Sequence, residues 1–142
     1  MNSNFWEDSD KKKSDRNRVI EVVKKNKNRF ISEAIPGLFA KPENHADFIQ
    51  NLIHAAQEMS QEAVIYATSA MRDRPSSELI AQKLGDKLKI IQGEKDQVIP
   101  MKEMLERTAT MEAELIILSE VAHMSHVEET GDLELILADF LK

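Results

Sequence analysis

The chain of 142 residues contains no cysteine. Disulfides, thiolate zinc sites and a cysteine nucleophile are therefore excluded together. Its four glycines, Gly37, Gly85, Gly93 and Gly131, fit neither a G-x-G-x-x-G fingerprint nor a Walker loop, so neither kind of phosphate cradle is present. No apolar run approaches the roughly 18 residues of a membrane span, and residues 1–13 lack the apolar stretch of a signal peptide. No membrane partner is expected, and a cytoplasmic location is. Aromatic residues are 5% of the chain, and none interleaves its basic run in a stacking pattern.

What is present is a chain 42% hydrophobic and 31% charged, a globular composition long enough to bury a core. The net charge of −6 is unevenly spread: residues 1–30 hold nine Lys/Arg against five Asp/Glu. The basic stretch runs from Lys11-Lys12-Lys13 through Arg16, Arg18, Lys24, Lys25 and Lys27 to Arg29. A nucleic-acid patch is one reading of it. Asp8, Asp10, Asp15 and Glu21 interrupt the run, however, and mixed signs favour a solvated helix face. Nucleic acid is not an expected partner.

The sequence divides into two compositional parts, 1–85 and 86–142. Residues 10–84 read as helical. Ser14 or Asp15 is the expected cap of a first helix ending near Lys25, followed by an interruption at Asn26–Asn28 and an apolar connector from Phe30 to Phe39. Phe48, Ile49, Leu52, Ile53, Ala56 and Met59 form one helical stripe, and Ala63, Val64, Ala67, Ala70 and Met71 a second, stopped by Pro75. Ser76 or Ser77 caps a short helix that Gly85 ends. After residue 86 the period changes. Leu88–Gln92 and Leu115–Leu118 read as strands of a parallel sheet covered on both faces. A helix from Pro100 to Arg107 lies between them, and Leu133, Ile136, Leu137, Phe140 and Leu141 mark a last amphipathic helix. The expected fold class is α/β, with a β-α-β-α unit.

Each strand runs into a polar loop, Gly93–Pro100 after the first and Val121–Glu129 after the second. In an open parallel sheet the carboxyl ends of the strands form the functional edge. Asp96 and His123 are thereby delivered to one edge, where an acid can orient an imidazole that takes a nucleophile's proton. Asp96 alone would read as a turn residue. A metal reading of His123, His126 and Glu128 lacks the helical H-E-x-x-H spacing, and neither a metal nor another cofactor is expected. His126 and Glu128 are expected to set the loop and the first turn of the last helix. His45 and His54 read as ordinary surface or core-edge residues.

The run I-I-Q-G-E-K-D-Q-V-I-P, followed by A-H-M-S-H-V-E-E and a terminal L-A-D-F-L-K, resembles the C-terminal part of an α/β-hydrolase. The resemblance implies that Asp96 is the acid and His123 the base of a catalytic triad, with Ala122 where the family has glycine. Residues 9–84 resemble that family's helical cap, including the opening at Asp8–Arg16 and A-M-R-D-R-P at Ala70–Pro75. It implies hydrolysis of small-molecule esters or amides, with Met71 and Met124 available to line an acyl pocket.

The nucleophile of that family sits in a G-x-S-x-G elbow, in the chain order Ser, Asp or Glu, His. No two glycines here flank a serine. Neither Ser125 nor Ser69 occupies the exposed strand-to-helix turn that presents a nucleophile. The expectation is a truncated hydrolase, inactive alone, that holds acid and base without nucleophile or oxyanion hole. The alternative is a non-catalytic interaction module derived from the same fold. In either case, exposed strand edges and apolar faces favour a homo-oligomer.

Overall fold

Residues 1–141 are described in a computed structural model. They form two units interleaved along the chain. One joins Phe5–Pro36 to Ala46–Leu79; the other joins Met1–Asn4, Gly37–His45 and the residues from Ile80 onward. Residues 1–4 and 37–45 thus group with the strands, although the helices on either side of them do not.

In the helical unit, helix α1 spans Asp10–Ala34. Its cap is Ser9, with extended ψ and a side chain that accepts the Lys12 N–H at 3.3 Å. Ser14 and Asp15 lie one turn inside, where Asp15 pairs with Lys11 and Arg18. The interruption falls at Asn26 (φ −158°, ψ 84°). The Asn26 side chain then accepts the Arg29 N–H at 3.0 Å and restarts the helix. Phe30 and Ile31 are consequently helical rather than connector, and Ile31 is buried. The basic stretch spends much of its charge locally, in the Lys24–Glu21 and Arg29–Glu33 pairs along the helix and in Lys13–Glu7.

Helix α2 spans Ala46–Glu58 and α3 spans Gln61–Asp73. The Lys27 ammonium donates to the Gln57 carbonyl at 2.6 Å and also to the Met59 carbonyl, satisfying acceptors at the C-terminal end of α2. Ser60 caps α3 by accepting the Ala63 N–H. Of the two sequence stripes, only Ile49 and Ile53 in α2 are fully buried, and Met59 and Met71 are exposed. The buried position of α3 is Thr68, whose hydroxyl donates back to the Val64 carbonyl at 2.8 Å.

The segments Asp8–Arg16 and Ala70–Pro75 meet at a buried carboxylate. Asp8 receives Arg16 Nε at 2.8 Å and lies 3.6 Å from the Arg74 guanidinium. Helix α4, Glu78–Leu84, begins where Ser76 Oγ accepts the Glu78 N–H. It gives way to a 3₁₀ turn at Gly85, where φ of +54° suits glycine.

In the other unit, strand β1 is Lys89–Gly93 and β2 is Glu114–Leu118. They pair in parallel from Lys89 opposite Glu114 to Gly93 opposite Leu118. Helix α5, Met101–Thr108, lies between them in the chain, with Pro100 as its cap residue rather than its first helical one. Helix α6 is the single turn Ser125–Glu128, and α7 is Thr130–Phe140. Ile91, Leu118, Val121 and Leu133 form the core of the sheet, with Ile116 and Ile136 against it.

Two expectations need correction here. Strand β1 is buried on both faces, but Ile117 of β2 is 44% exposed. In α7 only Leu133 is fully buried; Leu137, Phe140 and Leu141 of the expected stripe are exposed, as is Leu135. A helix apolar around most of its circumference cannot bury every face against a two-stranded sheet.

Removing Asp8 leaves two guanidinium groups facing a buried site without their carboxylate. Asp8→Ala is expected to destabilise the chain by about 3 kcal/mol, read as a lower urea midpoint at unchanged slope.

Candidate active site

Both strands end at the same edge because they are parallel and in register. Two backbone bonds then stitch the following loops together: Glu94 N–H to the Leu118 carbonyl at 2.9 Å, and Lys95 N–H to the Val121 carbonyl at 2.8 Å. This seam leaves no room at Gly93. A Cβ there would lie 2.2 Å from the Ala122 carbonyl oxygen and 2.6 Å from that of Val121.

Beyond the seam the chain turns at Asp96, whose side chain is fully buried. One carboxylate oxygen, Oδ1, accepts the N–H groups of Val98 at 2.8 Å and Ile99 at 3.0 Å. The other, Oδ2, accepts Gln92 Nε2 at 3.1 Å and Asn2 Nδ2 at 3.3 Å, and lies 2.8 Å from His123 Nδ1. An ionised carboxylate can only accept, so this contact places a proton on Nδ1 and leaves Nε2 as the ring nitrogen that faces away from the carboxylate.

Burial pushes the Asp96 carboxyl up. Hydrogen bonds from His123, the Ile99 N–H and Asn2, with the charge His123 can carry, outweigh it and hold the carboxyl below its ordinary value of 3.8.

The histidine loop has its own supports. The His123 N–H donates to the Leu38 carbonyl at 3.0 Å. Glu128, from α6, accepts the Ala122 N–H at 2.9 Å and the Ala40 N–H at 2.7 Å. Ala122 needs no glycine-like conformation; the left-handed residue of this turn is Glu120, at φ 60°. With both oxygens of Glu128 engaged by backbone and His126 exposed, the His123, His126 and Glu128 triplet does not form a ligand set. Among the described residues no three metal-ligating side chains gather.

The structure therefore brings Asp96 and His123 together. It does not present Ser125, which is fully buried and donates its hydroxyl to Asn2 Oδ1. Ser69 lies within α3, not on a strand-to-helix turn.

Two supporting residues were missed from sequence. Gln92 is fully buried, and its amide orientation follows from its partners: Nε2 faces three acceptors, Asp96 Oδ2, the Ile99 carbonyl at 2.9 Å and the Gly93 carbonyl at 3.5 Å. A glutamine inside an apolar strand, four residues before the Asp, was the available signal. Asn2 carried none, being 94 residues from Asp96.

No known family profile and no curated protein matches the chain. Solved structures do. An esterase from Thermogutta terrifontis superposes with a TM-score of 0.82 at 24% identity, over 99% of this chain and 53% of that one. An α/β-hydrolase from a Medee basin deep-sea metagenome gives 0.79 at 18% identity, over 99% of this chain and 54% of its own. An esterase from Exiguobacterium antarcticum gives 0.77 at 21%, over 92% and 48%. The chain has the fold of the C-terminal part of an α/β-hydrolase. It spans about half the length of each of these structures.

In this fold the seam at Gly93 holds the loop of Asp96 against the loop of His123. Gly93→Ala must displace the Val121–Ala122 backbone. The expected cost is about 2–3 kcal/mol, read as a lower melting temperature. A second expectation concerns pH. Because the folded Asp96 carboxyl lies below 3.8, its stabilising contribution is present above that value and is lost as pH falls through the depressed folded value. Asp96→Asn should flatten this acid limb in urea titrations run at successive pH values, and should lower stability at neutral pH.

Proposed function

We propose that Asp96 and His123 are the acid and base of a serine-type hydrolase acting on ester or amide bonds of small molecules, with the nucleophile supplied by residues outside this sequence. The observation that carries the reading is the 2.8 Å contact between His123 Nδ1 and a buried, five-times hydrogen-bonded carboxylate. On this reading Asp96 fixes the tautomer that exposes Nε2 as base. His123 takes the proton of an attacking serine and returns it to the leaving group. On the same reading the helical segments within residues 1–85 serve as the cap. Substrate choice belongs to that cap.

A second reading is a non-catalytic module that associates with itself. It is favoured by the exposed apolar groups on β2, on α7 and just after α7: Ile117, Leu135, Phe140 and Leu141. A stable monomer in sedimentation at micromolar concentration overturns it.

The first reading is tested in the DNA preceding Met1. An in-frame G-x-S-x-G after a predicted strand supports it, and its absence from every frame moves the conclusion to the second reading. The chain alone is expected to give no burst of product from an activated ester, since triad members act as a unit. A burst abolished by His123→Ala would contradict that. In protein that includes the elbow, Asp96→Asn is expected to lower kcat by about 10⁴-fold, measured on the same ester.

A further inference from the structure

We propose that Asn2 is a positioning residue for the Asp96–His123 pair, its carboxamide tying the acid loop to the histidine loop. The importance of this tie rests on the hydrolase reading above; the tie itself is a matter of geometry. Asn2 Nδ2 donates to Asp96 Oδ2 at 3.3 Å and to the Ala122 carbonyl at 2.8 Å. Oδ1 accepts the buried hydroxyl of Ser125. The Asn2 backbone N–H donates to the Ile91 carbonyl of β1 at 2.9 Å. One residue therefore touches the strand that leads to the acid, the acid, the residue before the base, and the first residue of the helix after it.

The chemistry of these partners specifies an amide. Two acceptors lie on one side and a hydroxyl donor on the other, and a planar carboxamide meets both sides from one group. The backbone agrees, because Asn2 has φ of 39° and asparagine is among the few side chains that tolerate the left-handed region. The contact to Asp96 falls on Oδ2, the same oxygen that faces His123. Asn2 thus fixes the direction of that oxygen and anchors the carbonyl adjoining His123 at once. Without it, the acid keeps its Oδ1 bonds to Val98 and Ile99, while Oδ2 and the histidine loop lose their common tether.

The test is NMR on the full chain, labelled with ¹⁵N, following solvent exchange of the His123 Nδ1–H and of the backbone amides of β1 and β2. Asn2→Ala is expected to speed Nδ1–H exchange by about tenfold or more, the scale of one hydrogen bond to a charged group, while the strand amides keep wild-type rates. Asn2→Asp keeps the volume and the acceptor toward Ser125 but turns lone pairs toward Asp96 and Ala122. It is expected to lose the Nδ1–H protection as well, and it carries the same comparison if the alanine variant does not fold. Wild-type exchange in both variants overturns the proposal. So does uniform acceleration of Nδ1–H and strand amides, which would make Asn2 a fold contact only. A wild-type spectrum with no protected Nδ1–H removes the acid–base pair itself and the proposed function with it, whereas a signal indifferent to both variants removes only the role of Asn2.

Discussion

One buried carboxylate organises the edge of this sheet. A charge withdrawn from water is tolerated only where hydrogen bonds replace its hydration. The side chain of Asp96 is fully buried, and its donors come from separate places: Val98 and Ile99 in its own turn, Gln92 in β1, His123 after β2, and Asn2 near the chain start. Satisfying this one group draws both loops and the first residues of the chain to a common point. The orientation of His123 follows, since the remaining face of Oδ2 admits a donor.

Precision at that point also depends on backbone contacts between the loops. The bonds from Glu94 and Lys95 to the carbonyls of Leu118 and Val121 bring two loops into contact at a distance only glycine permits. Glu128 does the same for the outer side of the histidine loop, using one carboxylate to satisfy the N–H groups of Ala40 and Ala122. A rigid strand pair, a glycine contact and a carboxylate brace place a titratable ring without any strained residue at the ring itself.

Much of this was legible in the sequence, for identifiable reasons. The two strands announced themselves as short apolar runs closed by polar loops, and parallel pairing was the arrangement that sent Asp96 and His123 to one edge. The break at Asn26 was visible because asparagine runs oppose helix continuation, but its restart was not, since a capping side chain looks the same whether it ends or begins a helix. The stripes of α2, α3 and α7 overstated burial: periodicity marks a face able to be covered, not one that is covered. Gln92 left a faint trace as a polar residue in an apolar strand. Asn2 left none, because a tertiary hydrogen bond has no sequence period.

The bond between Ser125 and Asn2 joins residues 123 apart, nearly the length of the chain, whereas Asp96 and His123 are separated by 27. Contacts so distant in sequence close late, because their loop entropy must be met before they contribute. The strand pair and the contact between Asp96 and His123 involve only residues from Lys89 onward, whereas Asn2 finds its partners in β1, in the Asp96 turn and beyond β2. The pairing of the strands is thereby closed over a short stretch of chain, and the clasp between Asn2 and Ser125 over a long one.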